Sequence, residues 1–177
     1  MAAAGAWIIR PGNLFGVYSF AGVILSLALV FAGFGLRAWG SAYAGGHTRG
    51  RSIEAPRLAT GGPYAHVRNP IYLGNVLIGF GMVGLLGDPW LLPLCLAVLA
   101  FLYFPIIPAE EEFLLRTFGD EYRRYREAVP RLWPRLRPWP EARQTPPRWK
   151  SAAGELPLAL LLVVIYVAMQ AVLYIRK

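Results

Sequence analysis

PIYLGNVLIGFGMVGLLGDPWLLPLCLAVLAFLYFPII, residues 70–107, is an apolar run interrupted by a single charge, Asp88. Crossing a bilayer takes about 20 apolar residues per helix. This stretch therefore holds two candidate spans, 71–86 and 90–107, joined by Gly87-Asp88-Pro89. Gly and Pro around an Asp form a tight turn, so the two spans are expected to make an antiparallel hairpin. The runs are continuous rather than alternating, which argues for helices over a β-barrel. Pro70 stands at the first helical position, where a missing N–H costs nothing, and Pro93 falls in the first turn of the next span.

Working outward, two further segments have the same character. Residues 14–36 contain no charge, and 156–175 end at Arg176-Lys177. The expected fold is all-α: a polytopic transmembrane protein of about four spans, forming one domain over 1–177. Only 16% of the chain is charged while 56% is hydrophobic, against roughly 25% charged in soluble domains. The cations are segregated: of eighteen Lys and Arg, five lie in 37–70 and ten in 109–155, and the hairpin turn has none. Basic loops stay in the cytosol, so both segments are expected there, with the termini on the other side. Tyr122, Tyr125, Trp133, Trp139 and Trp149 recur among these arginines. They read as an interfacial belt, with aromatics at headgroup depth and arginines on anionic lipid. Basic segments tied so closely to spans do not suit nucleic acid.

Two polar clusters lie at the cytoplasmic ends of the hairpin. The first is Gly61-Gly62-Pro63-Tyr64-Ala65-His66-Val67-Arg68-Asn69-Pro70-Ile71-Tyr72-Leu73-Gly74. It holds Arg68 and Asn69 against a helix N-terminus, where partial positive charge and free N–H groups favour an anion. The second is Glu110-Glu111-Glu112, just past Pro108. It reads either as part of a site shared with Arg68 or as the acidic first turn of a new helix. The segment Phe118–Tyr125 continues as an amphipathic interfacial helix. Gly74, Gly81 and Gly84 fall near one helix face. Close helix packing accounts for Gly81 and Gly84, whereas Gly74, one turn from Arg68, is a candidate for ligand clearance.

Other chemistries find no residues. His47, His66 and Cys95 are the only histidines and cysteine, too few for a zinc or haem site; no metal is expected. There is no G-x-S-x-G elbow and no phosphate-binding glycine loop.

The two clusters together resemble the integral-membrane methyltransferases that act on isoprenylcysteine carboxylates and phospholipid amines. The resemblance runs through Gly62-Pro63-Tyr64, Arg68-Asn69-Pro70, Tyr72, Gly74, Glu110-Glu111, Leu114, Phe118-Gly119, Tyr122, Tyr125 and Val129-Pro130-Arg131, with Arg37-Ala38-Trp39 near the end of the first span. It covers roughly 37–134 and implies a cytoplasmic cofactor-binding tail after the hairpin. It implies S-adenosylmethionine as cofactor, with Tyr64, Arg68, Asn69, Pro70, Tyr72, Gly74, Glu110, Glu111 and Tyr125 as binding residues and Arg68, Asn69 and Glu111 closest to the chemistry. It also implies a lipid or lipidated acceptor with a carboxylate or amine head. Asn69 stands where the best-known members have histidine; an amide donates a hydrogen bond but does not titrate. Arg68 suits the carboxylate of the donor, a glutamate its amine or ribose, and aromatic faces its sulfonium. An amine acceptor wants a base, a role open to Glu111. A nicotinamide-dependent membrane reductase of the steroid-reductase type and a non-catalytic membrane scaffold are the competing readings.

Overall fold

The computed structural model describes residues 20–44, 57–88, 90–143 and 145–175. Six α-helices follow in chain order: α1 (Phe20–Tyr43), α2 (Pro70–Leu86), α3 (Leu91–Phe118), α4 (Asp120–Ala128), α5 (Trp149–Ala152) and α6 (Leu156–Ile175). Short 3-10 turns at Gly62–Ala65 and Ala153–Glu155 precede α2 and α6. No strand occurs among the described residues.

Among the described residues, three helices are long and apolar enough to cross a membrane: α1, α3 and the segment that becomes α6. The 17-residue α2 is shorter. Many large apolar side chains of α1, α3 and α6, among them Phe31, Phe101, Phe104 and Leu160, are exposed. Lipid is the solvent that covers such surfaces.

Helix ends follow local chemistry where the sequence makes it plain. Asn69 precedes α2 and Pro70 opens it. Gly87 closes it at φ 69°, a left-handed conformation that suits glycine, with its N–H donating to the Val83 carbonyl. Two helices run past the expected spans. The sequence predicts the first span over 14–36; α1 runs on to Tyr43, and 14–19 lie outside the described residues. It predicts the third span over 90–107; α3 continues through Pro105 and Pro108 to Phe118. A proline removes one backbone donor without forbidding the next turn, and the residues after Pro108 are good helix formers. At ~1.5 Å per residue, the 28 residues of α3 extend about 42 Å, beyond a hydrocarbon core of about 30 Å. The glutamates therefore sit inside a helix, not at the start of one.

Glycines set how closely α1 and α2 pack. A Cβ on Gly33 would lie 2.6 Å from the Gly74 carbonyl oxygen, and one on Gly74 would lie 2.7 Å from that of Gly33. A Cβ on Gly81 would lie 2.6 Å from the Ser26 carbonyl oxygen. Contact this close between backbones is the way helices gain packing energy in lipid.

At one end of the bundle the two basic segments pack on each other. Arg68 N–H donates to the Pro130 carbonyl at 2.9 Å, Arg135 N–H to His66 at 3.0 Å and Trp139 N–H to Ala65 at 2.9 Å. Farther on, Arg143 N–H reaches Thr60 Oγ1 at 3.0 Å and Arg148 N–H reaches the Ala42 carbonyl at 2.7 Å. Beneath this wrap, Leu58, Tyr122, Tyr125 and Val129 form a small buried core, joined by Leu114, Phe118 and Trp139.

Candidate active site

The end of α3, the start of α2, α4 and the segment before α2 enclose a cavity of about 730 Å³. That volume falls within the usual range for small-molecule sites, about 300–1,000 Å³. Tyr64, Arg68, Asn69, Pro70, Tyr72, Glu110, Glu111 and Tyr125 all line it. Gly74 does not: its open side is filled by Gly33 and Arg37 of α1. The ligand clearance expected of Gly74 is thus taken up by helix packing.

Successive residues on a helix point about 100° apart, and the two glutamates that line the cavity diverge accordingly. Glu111 is 5% exposed. Arg131 donates to both its oxygens, Nε to Oε1 at 3.1 Å and an Nη to Oε2 at 2.6 Å, and Arg68 Nη2 lies 3.2 Å from Oε1. Two guanidiniums hold this carboxylate, which gives it the geometry of a strut rather than of the base suggested for it. Its hydrogen bonds in turn raise the pKa of Arg131. Glu110 is exposed and, among the described residues, accepts one hydrogen bond, from the Tyr72 hydroxyl to Oε1 at 2.7 Å. It is the carboxylate of the pair with capacity left for a ligand.

Arg68 is similarly divided. Nη1 donates to the Arg126 carbonyl at 2.6 Å and Nη2 faces Glu111. Its Nε is buried and has no partner among the described residues. A buried donor without an acceptor is uncommon and costs roughly 1–3 kcal/mol. The Asn69 amide donates to the Arg131 carbonyl at 3.2 Å, tying the start of α2 to the tail.

The aromatic residues stay neutral. Burial raises the Tyr64 hydroxyl above its ordinary range, with Glu110 adding to the effect. Burial does the same to Tyr125, whose hydroxyl donates to the Tyr64 carbonyl at 2.8 Å. Tyr122 is pushed up to about 12, first by burial and then by Glu111, against the opposing pull of Arg68, Arg126 and Arg131. These rings offer faces and hydroxyl donors, not proton acceptors.

Phe113 and Thr117 are not apparent from the motifs. With the motif residues Leu114 and Phe118, they join the cavity because α3 continues past Pro108. Arg131 is visible only as part of Val129-Pro130-Arg131, and nothing in its spacing names Glu111 as its partner.

A family model described as phospholipid methyltransferase matches residues 21–121, from α1 into α4. Methanethiol S-methyltransferase 1 of Bradyrhizobium diazoefficiens is 34% identical over 116 residues, 66% of this chain and 40% of that protein. Protein-S-isoprenylcysteine O-methyltransferase of Schizosaccharomyces pombe is 40% identical over 73 residues, 41% of this chain and 31% of that protein. The chain thus spans less than half the length of either relative. No solved structure matches it.

Proposed function

The chain belongs to the phospholipid methyltransferase family, and from that membership we propose that it transfers a methyl group from S-adenosylmethionine to a lipid or membrane-partitioned acceptor at the cytoplasmic face. One observation carries the reading. A single cavity combines a carboxylate with a free oxygen, the Arg68 guanidinium, whose Nε has no partner among the described residues, and several aromatic faces. Those are the complements of the donor's ammonium, carboxylate and sulfonium.

Arg68 Nε would hold the donor's carboxylate, and Glu110 its ammonium or ribose. Tyr64, Tyr72 and Phe113 would shelter the cation. When bound, the donor supplies an electrophilic methyl group on sulfur. The protein's own task is to align the acceptor head and exclude water, since methyl displacement depends mainly on geometry. Glu111, pinned by Arg68 and Arg131, fixes the wall against which this happens. A carboxylate acceptor needs no base. An amine acceptor must first lose a proton to a base.

The test is calorimetric titration of the chain in nanodiscs with S-adenosylmethionine and its demethylated product. Both are expected to bind. Arg68→Ala should weaken binding by about 1–3 kcal/mol, the usual cost of a lost charge-assisted hydrogen bond. Arg116→Ala, at an exposed surface pair with Glu112, should change it little. Binding of a nicotinamide dinucleotide, with no response to either sulfur compound, would overturn the reading.

A further inference from the structure

A chain of polar side chains crosses the bundle and ends at the cavity. Glu155, in the turn that opens α6, accepts hydrogen bonds from Ser41 Oγ at 2.7 Å and Arg37 Nε at 2.7 Å, both on α1. The Arg37 Nη2 atom lies 2.5 Å from Glu155 Oε2, and the two side chains are 14% and 15% exposed. The other end of the same guanidinium donates to Asn75 Oδ1 on α2. Asn75 Nδ2 donates to the Tyr103 hydroxyl on α3 at 2.5 Å. The Tyr103 ring packs on Tyr72, centroids 4.7 Å apart, and the Tyr72 hydroxyl donates to Glu110.

The network links α1, α2, α3 and the start of α6. Ionic and amide groups among apolar helices are costly unless paired, and pairing them fixes one register among many apolar alternatives. Neither Arg37 nor Asn75 lines the cavity, so they cannot act on a ligand directly. Their contacts run toward Tyr72, and Tyr72 orients the one carboxylate that faces the ligand space with capacity to spare. Arg37 also packs against Gly74, so the close approach of α1 to α2 sets where its guanidinium lies.

We propose that Arg37, Asn75 and Tyr103 are positioning residues for the Tyr72–Glu110 pair, and that Glu155 closes the relay, so that seating of the last helix sets donor affinity. The proposal rests on the cavity being the donor site. It gives α6 a role besides anchorage: withdrawing Glu155 frees Arg37, loosens Asn75 and Tyr103, and leaves Glu110 without a fixed orientation.

A double-mutant cycle in the full chain, in nanodiscs, tests it with S-adenosylmethionine as the titrant. Glu155→Ala and Tyr103→Phe are each expected to weaken donor binding about three- to tenfold, typical of residues coupled through one network. In a Tyr72→Phe background the same substitutions should add less than about twofold, because their route to Glu110 is already cut. Tyr103→Phe keeps the ring and removes one hydroxyl, so it carries the test by itself if Glu155→Ala does not fold. Effects that multiply with Tyr72→Phe, or single variants that bind as the parent does, overturn the relay while leaving the donor site intact. A parent chain that binds no donor overturns the reading of the cavity and the relay together.

Discussion

One position along a helix changes a side chain's direction by about 100°, and at Glu110 and Glu111 that angle separates two kinds of work. Glu111 turns inward to two arginines drawn from opposite sides, Arg68 before α2 and Arg131 after α4. Its removal leaves two guanidiniums facing each other without the anion between them. Glu110 turns toward the cavity and is held by one tyrosine hydroxyl. Their isosteric variants should therefore differ in which property they lose. Glu111→Gln is expected to lower folding stability by about 1–3 kcal/mol, since a buried charge-assisted network loses its anion. Glu110→Gln, at an exposed position, should shift stability by less than about 0.5 kcal/mol while reducing donor affinity. Unfolding in detergent, paired with titration of both variants, separates the two. Equal losses of stability would remove the division of roles.

At the scale of the element, glycines determine which helices meet. Gly33 and Gly74 face each other across α1 and α2 with no space for a Cβ, whereas Gly35, also in α1, has nothing within 4 Å of its position. Gly33→Ala and Gly74→Ala should thus each cost about 1–3 kcal/mol through overpacking. Gly35→Ala should be neutral or stabilise by up to about 1 kcal/mol, because alanine is the better helix former. Midpoints of thermal unfolding for the three variants decide it, and a Gly74→Ala as stable as Gly35→Ala would contradict the packing. Elements were legible where a residue's chemistry is unambiguous. Pro70 marks the start of α2 and Gly87 its end. The last helix, expected over 156–175, spans Leu156–Ile175, because charge stops abruptly on both sides of its apolar run. The end of α3 was not legible. Pro105 and Pro108 look like terminators, yet the formers that follow carry the helix on for ten more residues. Nor does the face shared by Gly74, Gly81 and Gly84 say whether helix or ligand will fill it.

For the molecule as a whole, the candidate site was legible to the extent that it depends on the hairpin. A short turn between α2 and α3 places Arg68 and Glu110 at one end of the bundle, and Tyr64, Tyr72 and Tyr125 converge there with them. What the sequence left hidden depends on contacts between distant segments: Arg131 reaching Glu111, and Arg37 reaching Asn75 and Glu155. The direction of α3 also bears on the acceptor. Phe113, Leu114 and Phe118 extend the cavity past Glu110, on the side away from the apolar residues 90–107. On the membrane-methyltransferase reading, an acceptor held in the bilayer would bring its head to Arg68 and Glu110 with its chain along the apolar run that precedes Glu110 on α3. It would leave the aqueous approach to the donor. A fully soluble acceptor would gain nothing from the bilayer and would have to share the donor's entrance. Each buried CH₂ contributes roughly 0.8 kcal/mol, so efficiency should climb steeply over the first few carbons and level off once partitioning is complete. Transfer of a labelled methyl group to acceptors with one head and chains of increasing length measures this. Short, water-soluble acceptors methylated as efficiently as their long-chain analogues would rule out entry from the bilayer.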